Sequence, residues 1–242
     1  PMFTLMIAFG DIFGLGGSSA ISRLLGEKKD NEAKKTCAFC IWISLVFGLC
    51  ISAILLLFRT QILGLLGDGK DTYQYANAYY TWIAIGAVSI IFSMVPSNIL
   101  RTEGLAVQSM AGSIIGSIVN IIFDPIFIFG LNQGAAGAAM ATVLGNIIAD
   151  IYYVYAVVKK SKRLTCSPSH MKVTGRRIRD ILMIGIPASI TNIMQTFMMV
   201  MTNNFLLTYG TDKVAAMGIA LKVNMITALV LVGFAFGGQP LV

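Results

Sequence analysis

Seven long apolar segments follow one another along this 242-residue chain, and the basic residues between them fall almost entirely on one side. The segments run over residues 1–21, 37–58, 75–100, 107–131, 135–158, 181–208 and 214–242, here A to G. Each approaches or exceeds the roughly 20 residues that carry a helix across about 30 Å of hydrocarbon. Threaded in order, they place alternate connections on opposite faces of a membrane. One face receives Arg23, Lys28, Lys29, Lys34 and Lys35 after A, Arg101 after C, and eight Lys or Arg between residues 159 and 179 after E. The other face receives only Arg59, Lys70 and Lys213. The excess of Lys and Arg in short cytoplasmic loops then predicts that loops 22–36, 101–106 and 159–180 lie in the cytoplasm. The fold class expected is all-α: a multi-pass bundle of seven spans in the plasma membrane, with A running outside to inside.

Composition excludes most other classes. The chain is 56% hydrophobic and 12% charged, about half the charged share of a soluble domain. Its net charge of +7 sits in short loops beside the spans, where it orients them and meets anionic lipid. Aromatic and basic residues do not interleave, so nucleic acid is not an expected partner. Cys37, Cys40 and Cys50 lie in B and Cys166 in a loop. Cys37-x-x-Cys40 has no second pair, so it reads as small apolar filling rather than a metal or redox site. The one histidine, His170, falls in the basic loop after E. No catalytic constellation and no cofactor site are expected, and the chain does not read as an enzyme.

Segment A opens at Pro1 and G runs to Val242 without a flanking loop, which reads as a stretch of a longer protein. Phe13-Gly14-Leu15-Gly16-Gly17 in A has a weak echo in Phe234-Ala235-Phe236-Gly237-Gly238 in G, and the polar stretch 159–180 separates them. Three regions follow as expectations: an amino-terminal bundle over 1–158, a basic linker over 159–180, and the start of a second bundle over 181–242. Gly10-x-x-x-Gly14 and Gly112-x-x-x-Gly116 suit close helix packing. Pro96 and Pro125 each lack an amide hydrogen and leave a carbonyl without its helical partner. Within lipid such a carbonyl must meet protein or line a wet cavity.

Polar groups inside the spans carry the functional signal, because a charge at the helix centre costs about 2.5–3.5 kcal/mol on insertion scales. Asp124 follows Asn120 by one helical turn, so both project from one face of D. Pro125 frees the Ile121 carbonyl near that face. A carboxylate, an amide oxygen and a free carbonyl make a hard oxygen environment that suits Na⁺ or a proton; a purely structural pairing of Asp124 is the alternative. Asp11, near mid-depth in A, fits a transport role or a hydrogen bond to a neighbouring helix. Asp150, near the inner end of E, fits a polar bundle interior. Segment F sets Asn192, Gln195, Asn203 and Asn204 among Met194, Met198, Met199 and Met201, and methionine suits adaptable apolar surfaces. Asn192, Gln195, Met198 and Asp11 are the candidates for a substrate cavity. Lys222 in G is a further charge in a span, close enough to its outer end to snorkel.

Several motifs together resemble the MATE (multidrug and toxic compound extrusion) family of the MOP superfamily, and its MepA-like bacterial branch in particular. They are Gly16-Gly17-Ser18-Ser19-Ala20-Ile21-Ser22-Arg23-Leu24-Leu25-Gly26, Arg101-Thr102-Glu103-Gly104, Asn120 through Gly130 with Asp124-Pro125 at its centre, Gly134-Ala135-Ala136-Gly137, Gly185-Ile186-Pro187 and Gly237-Gly238-Gln239-Pro240. The resemblance implies two six-helix lobes around a central cavity, with A to G as helices two to eight. It implies export of organic cations, drugs among them, in exchange for Na⁺ or H⁺. The family's amino-lobe cation site matches Asn120 and Asp124, and its threonine on the sixth helix matches Thr142. That site's further Asp, on the first helix, has no counterpart within A to G, and F lacks the acidic residue some members carry there. The expected partners are small organic cations and the lipid bilayer; the expected state is a monomer, with no metal beyond Na⁺ at Asp124. A flippase for lipid-linked oligosaccharide or peptidoglycan precursors is the alternative, but its pyrophosphate calls for several intramembrane cations and only Lys222 is available.

Overall fold

The computed structural model describes residues 2–65, 73–168, 171 and 173–238. Its described residues form helices joined by turns: α1 (Met2–Gly26), α2 (Asp30–Leu57), α3 (Arg59–Leu65), α4 (Tyr73–Thr102), α5 (Ala106–Pro125), α6 (Gly134–Lys160), α7 (Gly175–Leu207) and α8 (Thr211–Gly238). Among the described residues six helices are both long and apolar enough to cross a membrane: Met2–Gly26, Asp30–Leu57, Ala76–Thr102, Ala106–Gly130, Gly134–Lys160 and Gly175–Leu207. Segment G is the 28-residue α8, and its residues 239–242 lie outside the described residues.

The helices run past the apolar segments at the basic end. The connection expected over 22–36 shrinks to residues 27–29, because α1 continues to Gly26 and α2 begins at Asp30. Lys, Arg and Glu are good helix formers, so leaving the hydrocarbon does not end a helix. Asp30 and Glu32 also favour the first turn of α2, where a helix dipole welcomes acid. The turn closes by two hydrogen bonds, Lys29 N to Leu24 O at 2.9 Å and Lys28 N to Leu25 O at 3.1 Å. This is the pairing that ends many helices on a left-handed residue; here Lys28, at φ 59°, takes that conformation. The α4–α5 turn repeats the pattern with a glycine. Leu105 N meets Leu100 O at 2.9 Å and Gly104 N meets Arg101 O at 3.0 Å, with Gly104 at φ 83°. Helix α3 occupies part of what reads as a loop after segment B; its Leu63 is buried beside Leu55 and Tyr80.

Contacts divide the chain into two compact units, Pro1–Thr196 and Phe197–Val242. In the first, α4 is central and packs against α1, α2, α5 and α6. Its Ile83, Ile90, Ile91, Val95, Ile99 and Leu100 are fully buried. By contrast α5 turns Ile114, Ile118, Ile121 and Ile122 outward, the apolar exterior a bilayer requires. In the second unit, Phe205, Ile219 and Val223 are likewise exposed.

The segment after α6 is tied to the first unit. Glu103 Oε1 accepts hydrogen bonds from the Lys162 and Arg163 amides, both at 2.9 Å. Trp42 Nε1 donates to Cys166 O at 3.0 Å, and Leu164 is buried in the core. Burial also pushes the Cys166 thiol up to about 11. The whole Arg101-Thr102-Glu103-Gly104 motif thereby has a structural account. Arg101 bonds the hydroxyls of Ser97 and Ser109, Thr102 bonds Asn98 O, Glu103 holds the linker, and Gly104 makes the turn. Glu103→Ala is expected to release residues 161–168, so trypsin cleaves after Lys162 and Arg163 several-fold sooner in the folded protein. A hydrogen bond to a charged group contributes about 1.5–3 kcal/mol, less where water reaches it. Unchanged cleavage would show that Leu164 and Trp42 hold the segment without it.

Candidate functional site

The α5–α6 contact is built on small residues. A Cβ on Gly145 would lie 2.6 Å from Gly116 O and 3.4 Å from Asn120 Cβ. Backbones this close bring the polar faces of the two helices together. Asn120 Nδ2 donates to Thr142 Oγ1 at 3.4 Å, and Thr142 Oγ1 donates to Ala138 O at 2.9 Å. Asp124 lies one turn beyond Asn120 on α5. Its Oδ1 is buried and has no hydrogen-bond partner, and it enters no ion pair among the described residues.

At Pro125 the helix changes gauge. Proline offers no amide to Ile121 O, and residues Ile126–Gly130 continue as wider π-type turns, with Leu131 N bonding Ile126 O at 3.0 Å. Such bulges break helical regularity and recur at functional sites.

The cavity candidates divide between two places. Asn192 Nδ2 of α7 donates to Asp11 Oδ2 of α1 at 2.9 Å, and Asp11 is only 8% exposed. Glycines again allow the approach: a Cβ on Gly185 would strike the Ile12 carbonyl, and one on Gly16 would strike that of Ile181. Gln195 is exposed. Met198 is 60% exposed and belongs to the second unit, as does the exposed Lys222.

Where α1 and α2 meet the start of α7, a cavity of about 470 Å³ is lined by Arg23, Glu27, Glu32, Arg176, Arg177 and Asp180 among others. Its charges compensate one another. Lys29 pairs with Glu27 at 2.7 Å and Arg177 with Asp180 at 3.9 Å. The Lys29 hydrogen bond holds the Glu27 carboxyl below its usual range. Among the described residues no group of three or more His, Cys, Asp or Glu could hold a metal ion. Cys37 and Cys40 are free and buried, and His170 lies outside the described residues.

The sequence profile of the MatE family matches residues 1–126 and 187–242. The chain is similar to the multidrug export protein MepA of Staphylococcus haemolyticus, 34% identical over 242 residues, which are 100% of this chain and 54% of that protein. It thus spans about half the length of the curated relatives it matches. Among solved structures it resembles an outward-facing multidrug resistance MATE transporter of the MOP superfamily at 29% identity and TM-score 0.87, over 98% of this chain and 53% of that one. An inward-facing structure of such a transporter matches at 29% identity and TM-score 0.86, over 93% of this chain and 51% of that one.

Proposed function

This chain belongs to the MatE family, in its MepA-like branch, and on that premise we propose that it works as part of a secondary multidrug antiporter. Its family is one of transporters, not enzymes. The antiporter exports organic cations and takes up Na⁺ or H⁺ in exchange. One observation carries the reading: a buried carboxylate oxygen without a partner, Asp124 Oδ1, lies one turn from the Asn120–Thr142 hydrogen bond. An ion that meets Asp124 gains a carboxylate oxygen that nothing else claims, with the Asn120 amide oxygen and the Thr142 hydroxyl one turn away. Here the ion is cargo.

In this reading residues 1–158 form most of one lobe, 159–180 the linker and 181–242 the start of the other lobe. Loops 22–36, 101–106 and 159–180 face the cytoplasm, as the excess of Lys and Arg supports. The Asp124 site then opens toward the outer half of the membrane. One charge crossing 100 mV supplies about 2.3 kcal/mol, enough to bias the lobes between two orientations if the ion binds one more tightly. The substrate cavity takes its polar contacts from Asp11 and Asn192, which share a hydrogen bond. Monomers suffice for this cycle.

The test is gradient-driven export by the native protein in vesicles. Ethidium should leave the cytoplasmic-side compartment only when an inward Na⁺ or proton gradient is imposed. Export that persists with both gradients collapsed sinks the antiport reading.

A further inference from the structure

A second carboxylate lies deeper along α6. Asp150 Oδ2 accepts a hydrogen bond from the Ser89 hydroxyl of α4. Asp150 Oδ1 is buried and without a partner. Thr142, Asn146 and Asp150 follow one another at four-residue spacing and so share one face of α6. Asn146 Nδ2 folds back onto Thr142 O at 2.8 Å. The face therefore carries polar groups from the Asn120–Thr142 contact to Asp150, a rise of about 12 Å at 1.5 Å per residue.

We propose that Asp150, with Ser89, is a second cation site of the transporter, one that takes a proton and exchanges it with the Asp124 site along the polar face of α6. This deepens the antiport reading and rests on it. The step is a simple transfer: a proton from water, or from the polar chain above, adds to the carboxylate, and the same proton later leaves to water on the other side.

The neighbours favour a proton over a metal ion. Na⁺ and other hard cations need several oxygens, whereas among the described residues the Ser89 hydroxyl is the one hydrogen-bond partner of this carboxyl. The elements packed on α6 are α4, α5 and the wide turns after Pro125. Among the described residues they bring the titratable groups Tyr79, Tyr80, Arg101 and Asp124; α6 itself adds Tyr152, Tyr153, Tyr155, Lys159 and Lys160. Among the described residues Asp150 enters no ion pair, and Ser89 is its hydrogen-bond partner. Tyr153 is turned to Ser113, at 2.8 Å. A lone carboxylate inside a membrane bundle is costly to keep charged, and taking up a proton removes that cost.

Infrared difference spectra of the native protein in lipid, recorded between two pH values, read the carboxyl directly. Wild type should show a protonated-carboxyl band that Asp150→Asn loses and Asp124→Asn keeps. Ser89→Ala should retain the band at a shifted frequency, since the carboxyl has lost its hydrogen bond. Export by Asp150→Asn should lose its dependence on pH. A pH-induced carboxyl signal identical in wild type and Asp150→Asn overturns the proposal, as does an unchanged pH profile of export. If Asp150→Asn does not fold, Ser89→Ala decides: an unshifted band and a wild-type pH profile overturn it. Normal export by Asp124→Asn would instead remove the antiport reading at Asp124, while the band still reports whether Asp150 titrates.

Discussion

Asp124→Asn is expected to abolish gradient-driven ethidium export while the protein still accumulates in the membrane. The substitution keeps size and one oxygen but removes the charge. An amide cannot exchange a proton in the physiological range, and it offers Na⁺ a single neutral oxygen where a carboxylate offers two that share a charge. An ion that binds both orientations of the lobes equally cannot shift their balance, however steep its gradient. Folding should change little, because Asp124 Oδ1 has no hydrogen-bond partner to lose and no ion pair among the described residues depends on it. Export per molecule and melting temperature, measured together, separate the outcomes. Wild-type export per molecule with a lowered melting temperature would make Asp124 a structural residue.

The largest effect on stability is expected at the α1–α7 seam. Gly185→Leu places side-chain atoms where the Ile12 carbonyl already stands, and the obstacle is backbone. The helices must part, because a carbonyl cannot swing aside as a side-chain tip can. Overpacking of this kind costs about 1–3 kcal/mol. Parting also breaks the Asn192–Asp11 hydrogen bond and leaves a buried carboxylate without its donor, which adds about 1–3 kcal/mol. A melting temperature several degrees lower in Gly185→Leu, with Asp11→Asn in between, is the expected order. Gly185→Leu with a wild-type melting temperature would mean that the seam opens freely.

The spans and the two residues of α5 were legible for a local reason. Apolar runs of span length read as helices wherever they occur, and Asn120 and Asp124 share a face by their spacing alone. Helix ends were less legible, because the lysines and glutamates around residue 30 solvate well whether helical or not. Pairings between helices were not written locally. Asp11 and Asn192 each stood out as polar groups in an apolar setting, yet helical period says which residues share a face and not which helix covers it. Thr142, 22 residues from Asn120, was reached only through the family resemblance. Ser89 gave no signal, since a serine in a span is common; only its contact with Asp150 marks it. Likewise Glu103 stood out only as part of a family motif, and its role appears only when the linker lies across it.

That role of Glu103 sets the length of a leash. Between the end of α6 and the start of α7 lie 14 residues, 161–174. The bonds from Glu103 and Trp42 hold this stretch through Cys166, so eight residues, 167–174, separate the clasp from α7. Eight extended residues span at most about 26–29 Å, against roughly 46–50 Å for all 14. With the clasp closed, the reach from Cys166 to the start of α7 is set by those eight residues, so Trp42 and Glu103, rather than the loop's nominal length, bound that separation.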